Sequence, residues 1–143
     1  ALKEQLQRVG VELEIRTYEW GTFFSDIKKG NFHLYSLAWV GIQDPDIYHQ
    51  IFHSSSVPPN GDNRGHYSNP QVDRLLELGR TVANTMERKR LYSDVQRILA
   101  EDLPYIPLWW WKNVIVKTPS LQGFVSYPDG DFTAFKKASF RSQ

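Results

Sequence analysis

The sequence has 143 residues, with 17 Lys and Arg set against 16 Asp and Glu, four His and no Cys. A net charge of +1 supplies no field suited to a phosphate backbone, and the lack of Cys excludes disulfides, thiolate metal sites and thiol chemistry. Hydrophobic residues at 41% and charged residues at 23% describe a globular chain whose length suits one domain over residues 1–143. No apolar run approaches the ~20 residues that span a bilayer. The chain opens on Ala1-Leu2-Lys3-Glu4, already inside a helical pattern, and is expected to be a piece of something longer.

Leu2, Leu6 and Val9 mark an amphipathic helix that should stop at Gly10, a residue at ease in the left-handed conformation. The run Val11-Glu12-Leu13-Glu14-Ile15-Arg16 alternates as a half-buried strand does. A short helix with Phe23, Phe24 and Ile27 follows, closed by Gly30, and 32–40 reads as a strand buried on both faces. Helix, strand, helix, strand predicts an α/β architecture with a mostly parallel sheet. Asp44-Pro45-Asp46 carries the cap, the proline and the first-turn charge of a helix holding Ile47, Tyr48, Ile51 and Phe52. Residues 53–69 crowd turn signals together and form a long loop of the kind that is functional or mobile. Asn69-Pro70 opens a helix with Val72, Leu75, Leu76 and Val82 inward; Asn84-Thr85 breaks it before a second helix with Leu91, Tyr92, Val95, Ile98 and Leu99. Pro104 ends that helix, and 105–117 is expected to be extended, with Trp109-Trp110-Trp111 and Val114-Ile115-Val116.

Chemistry is sparse. His49 and His53 stand four apart, a spacing that can place two imidazoles on one metal, yet the run His-Gln-Ile-Phe-His lacks the Glu of a zinc protease. Asp62-Asn63-Arg64-Gly65 has the wrong charge order for a calcium loop. No nucleophile elbow, P-loop or dinucleotide fingerprint occurs. The three Trp suggest a stacking platform, though in a strand at least one of them would be core. The expectation is a protein with no catalytic residues, no metal site, no cofactor and no nucleic-acid partner.

The local wording goes further. Leu6-x-x-Val9-Gly10-Val11-x-Leu13-x-Ile15, then Glu19-Trp20-x-Thr22-Phe23, Gly30-x-Phe32-x-Leu34, and Trp39 followed by Asp44-Pro45-Asp46 form an ordered series. It continues through Tyr67-Ser68-Asn69-Pro70-x-x-Asp73-x-Leu75-Leu76, Arg90-Leu91-Tyr92-x-x-Val95-Gln96-x-Ile98-Leu99 and Asp102-x-Pro104-Tyr105-Ile106-Pro107-Leu108. This series resembles the C-terminal portion of the extracytoplasmic solute-binding proteins of family 5, the oligopeptide-, dipeptide- and nickel-binding receptors of ABC importers. The resemblance implies a lobe of the type II periplasmic-binding-protein fold, a mixed, mostly parallel sheet flanked by helices. It implies capture of a peptide or related small solute, delivery to a membrane permease, and a periplasmic or extracellular, membrane-anchored location. The same lobe as the ligand sensor of an intracellular transcription regulator is the alternative.

In peptide-binding members of that family the strand ending at this Trp lines the cleft and pairs with the extended ligand, as in strand addition. Carried over, this points to Ala38, Trp39, Val40 and Gly41, with Ile42, Gln43 and Asp44 of the following loop. The resemblance also implies an Asp three residues after the Trp, holding the ligand's α-ammonium. That place is Ile42 here, and the segment from Trp39 to Pro45 is one residue short. Asp44 is read mainly as a helix cap. Without its other lobe, the isolated chain is expected to self-associate.

Overall fold

The computed structural model describes residues 1–110, 112–127 and 130–141. Its backbone divides into two compact units, residues 1–35 and residues 36–143.

The first unit holds helices α1 (Leu2–Arg8) and α2 (Trp20–Lys29). Gly10 and Gly30 take φ of +82° and +75°, so each helix ends on the left-handed residue that the sequence marks. Glu19 caps α2, its carboxylate accepting from the N–H groups of Gly21 (3.0 Å) and Thr22 (3.4 Å). Ile27 is buried, and Trp20 stacks on Phe24 with ring centroids 5.5 Å apart.

The second unit is built on α3 (Ile47–Phe52), α4 (Pro70–Thr81) and α5 (Thr85–Asp102). Asn69 and Asn84 supply the N-caps of α4 and α5, each side-chain oxygen accepting two first-turn N–H groups. Between α4 and α5 the connection is short, which makes them an αα-hairpin. Val72, Leu76 and Gly79 on α4 meet Tyr92, Val95 and Leu99 on α5, and Ile51 and Phe52 of α3 complete the buried cluster. These positions follow the three-and-four spacing of helical faces, and each fully buried Val or Leu contributes roughly 1.5–3 kcal/mol.

Gly79 sits where the two helices come closest. A Cβ there would lie 2.9 Å from Cε2 of Tyr92 and 3.0 Å from its Cζ. Ala gains about 1 kcal/mol over Gly in a helix interior, whereas overpacking costs about 1–3 kcal/mol. The ring is buried within the core cluster and has the Arg88 guanidinium 5.1 Å from its centroid, so it has little room to yield. Gly79→Ala is expected to lower stability by up to about 2 kcal/mol. A denaturation midpoint above that of the parent chain would show that the ring simply moves aside.

The predicted sheet differs from what is observed. Among the described residues the one sheet is an antiparallel pair, β1 (Leu121–Gln122) with β2 (Ser139–Phe140), in the register Leu121↔Phe140 and Gln122↔Ser139. A 3₁₀ helix, Phe132–Lys137, precedes β2. The segments 11–16, 32–40 and 105–117 carry no ladder among the described residues, and Val11, Ile15, Leu34, Val114 and Val116 are exposed. Alternation of side chains reports that a segment suits one-sided cover; the ladder also needs a partner strand about 4.8 Å away. Trp111, part of the proposed stacking platform, lies outside the described residues.

Candidate ligand-binding site

The segment 38–44 lies in the second unit, ahead of α3, and forms no strand ladder among the described residues. Ala38, Val40, Gly41, Ile42, Gln43 and Asp44 are exposed, and Gly41 takes a φ of +70°. Trp39 is half-buried. It packs against the hydrophobic cluster, and the Arg64 guanidinium lies 5.2 Å from its ring centroid. Trp39 therefore divides itself between the core and the surface, where the sequence reading places it in the cleft alone. Its removal would touch folding as well as any ligand.

Gly41, Ile42, Gln43 and Asp44 border an open depression of about 320 Å³, closed on its other sides by Asp46, Ile47, His49, Gln50 and Arg80. The structure thus gathers four of the seven sequence-selected residues at one concavity. Ala38, Trp39 and Val40 do not border it.

Asp44 does two jobs. Its Oδ1 accepts from the Asp46 N–H at 2.8 Å, which opens the turn into α3 as a cap would. The same carboxylate takes a two-pronged grip from Arg88, Nη2 to Oδ1 at 2.6 Å and Nη1 to Oδ2 at 3.1 Å. The guanidinium of Arg88, and then the Asp46 N–H, hold this carboxyl below the usual carboxylate range. Arg88 also donates from Nε to the carbonyl of Gly79 near the end of α4 (3.0 Å), so one side chain ties the loop to both helices of the hairpin. Sequence reading missed this role. Arg88 belongs to a basic run that looks like a solvated helix face, and its partner is 44 residues away.

Arg80 closes the depression. Its Nε lies 3.0 Å from Asp46 Oδ1, and Nη1 donates to His49 Nε2 at 3.2 Å. Burial, followed by the charges of Arg80 and His53, pushes the His49 imidazole below its ordinary value. The His49 and His53 rings stack with centroids 4.3 Å apart and planes 19° from parallel. His53 Nδ1 accepts from the Ser55 N–H at 3.1 Å and lies 2.7 Å from the Ser55 hydroxyl, while Nε2 faces Glu77 at 3.5 Å. This is a packed and hydrogen-bonded pair, not two imidazoles converging on one point. Among the described residues no group of three His, Cys, Asp or Glu is arranged to hold a metal ion.

The loop 53–69 behind the depression is held internally. Buried Asn63 donates its amide to the carbonyls of His53 (3.1 Å) and Tyr67 (2.7 Å) and accepts from the Tyr67 N–H (2.9 Å). Asp73 of α4 accepts from the N–H and hydroxyl of Ser54 at 2.9 and 2.6 Å. At the loop's far end, the Tyr67 hydroxyl and the Asn69 amide donate to Asp102, which holds that carboxyl below its usual range. A loop of this length is expected to be functional or mobile, and this one is tied by Asn63 to its own backbone and by Asp73 and Asp102 to the helices that follow it.

Comparison with known proteins places the chain. No family model matches it. It is 31% identical over 128 residues to di/tripeptide-binding protein 4 of Pseudomonas aeruginosa, which covers 89% of the chain and 24% of that relative. It is 27% identical over 138 residues to the oligopeptide-binding protein AppA of Bacillus subtilis, covering 95% of the chain and 25% of AppA. Its fold matches, with a TM-score of 0.78 and 24% identity, the ABC transporter-associated periplasmic binding protein DppA of Helicobacter pylori, solved with the peptide STSA; that match covers 99% of the chain and 28% of DppA. The chain thus spans about a quarter of the length of the relatives it matches. Its fold is that of a lobe of the type II periplasmic-binding proteins, and its sequence is similar to part of proteins named for binding peptides.

Proposed function

We propose that this chain is the C-terminal lobe of the substrate-binding component of an ABC importer, which captures a peptide or related small solute outside the cytoplasmic membrane and hands it to a permease. The reading is carried by likeness along 89–99% of the chain to proteins named for binding peptides. The depression beside residues 41–44 supports it. A binding role is favoured by how its polar groups are engaged, Asp44 with Arg88, Asp46 with Arg80, and His49 Nε2 accepting from Arg80. Such a lobe works in the periplasm or on the outer face of the membrane, and no described helix is long and apolar enough to cross one.

The contact residues we assign to the ligand are Ala38, Trp39, Val40 and Gly41, through exposed backbone, with Ile42, Gln43 and Asp44 at the mouth of the depression. Ile42 offers no charge, and Arg88 already neutralises Asp44. The full-length protein is therefore expected to bind a peptide and its N-acetylated twin with affinities within about three-fold. A charge-assisted hydrogen bond to a free amine is worth about 1.5–3 kcal/mol, so its presence would instead cost acetylated peptide about 10- to 150-fold. Titration calorimetry with the two peptides separates these outcomes. A large loss on acetylation would assign the amine to an acid, and binding of neither peptide would remove peptides as the solute.

A further inference from the structure

We propose that Arg64 is a positioning residue for the wall formed by residues 38–44, acting through the indole of Trp39. The inference rests on the reading of that wall as the ligand-binding segment. Arg64 is 4% exposed, and a cation so deeply buried is costly unless it is paired. Asp62 pairs with it, Nη2 to Oδ1 at 2.6 Å. The Asp62 carboxylate also accepts from the side-chain amide of Gln50, and the Asp62 N–H donates to the Gln50 carbonyl at 2.9 Å. Gln50 borders the depression. The guanidinium thus sits at a junction, with one edge on the Asp62 carboxylate that also binds Gln50 and its centre 5.2 Å from the centroid of the Trp39 ring.

Stability alone does not account for this arrangement, because a well-packed apolar side chain of similar volume commonly replaces a buried ion pair without loss. A planar guanidinium supplies something that such a side chain lacks. It can lie against an indole face while a carboxylate fixes its edge, which restricts both where the ring sits and how far it can swing. The segment carrying Trp39 has no strand ladder among the described residues to do that. Lys keeps the charge but not the plane, so it separates positioning from simple ion pairing.

The test uses the chain with Trp20→Phe, Trp109→Phe, Trp110→Phe and Trp111→Phe, so that Trp39 is the sole indole. Adding Arg64→Lys is expected to leave far-UV circular dichroism unchanged while raising acrylamide quenching of native Trp39 about two-fold, with emission shifted to the red. Adding Arg64→Met should do the same. In the full-length protein, Arg64→Lys should weaken peptide binding about ten-fold, part of what a well-packed Trp contributes at a hot spot. Unchanged quenching in a folded Arg64→Lys chain overturns the proposal, as does peptide affinity equal to wild type. Loss of the fold in both variants makes Arg64 a purely structural residue and overturns it as well. A wild-type protein that binds no peptide counts against the functional reading instead, and the quenching measurement, which needs no ligand, still decides the role of Arg64.

Discussion

The purified chain at about 100 µM is expected to sediment as a dimer or a larger assembly, joined through residues 105–117, because exposed unpaired strand-like segments template pairing with another chain. Ile106, Leu108, Trp109, Val114, Ile115 and Val116 are all exposed, and Trp110 and Val116 each reach 95%. Even-numbered positions 106, 108, 110, 114 and 116 would share one face of a paired strand. At about 25 cal/mol per Å² and 150–250 Å² per ring, covering Trp110 of both copies recovers on the order of 7–12 kcal/mol per dimer. Association itself costs an estimated 4–15 kcal/mol, so the rings alone break even and the β-branched residues tip the balance. Trp110→Lys together with Val116→Lys should return the chain to a monomer, since charge on an edge opposes pairing. A clean monomer of the unaltered chain at the same concentration would mean that the segment finds its cover within the chain. If the chain is a lobe of a longer protein as proposed, that cover is expected from the other lobe, which would also supply partners for 11–16 and 32–40.

How far the sequence carries depends on the range of each interaction. Helices α4 and α5 are legible to within a residue or two because their signals are local: Asn69-Pro70 and Asn84 at the starts, apolar residues at helical spacing, and Leu103 ahead of Pro104 at the end. The sheet is not, since alternation at 11–16 names a face and says nothing of where its partner lies. The same division runs through the site. Positions 41–44 are picked out by the resemblance of the local wording, and they border the depression. Arg80, which lines it, and Arg64 and Arg88, which pair with Asp62 and Asp44, come from one loop and two helices. An arginine on a helix looks alike in sequence whether it meets water or an aspartate 44 residues away. Trp39 shows the opposite ambiguity, for a large aromatic suits core and cleft equally and here serves the core on at least one side.

Asn63 gives the sharpest test of the loop that carries Arg64. In the sequence it is one more turn-forming residue; in the structure it is 2% exposed and spends its amide on three backbone groups. The His53 carbonyl keeps a second partner, the Ser56 N–H at 2.9 Å, so truncation chiefly strands the N–H and carbonyl of Tyr67. Each buried backbone group left unpaired costs about 1–3 kcal/mol, and because Tyr67 is only half-buried and water can reach part of it, Asn63→Ala is expected to cost roughly 2–4 kcal/mol. For a chain of this size that lowers the melting temperature by roughly 5–15 °C. Asn60, exposed at the tip of the same loop, is the control, and Asn60→Ala should change stability by no more than about 0.5 kcal/mol. Asn63→Asp discriminates further. It retains an acceptor for the Tyr67 N–H but turns lone pairs and a buried charge toward two carbonyls, so it should be at least as damaging as Ala. Chemical denaturation of the three variants measures the difference. If Asn63→Ala matches Asn60→Ala, the loop is not held from within, and Asp73 and Asp102 at its two ends would have to fix the position of Arg64 by themselves.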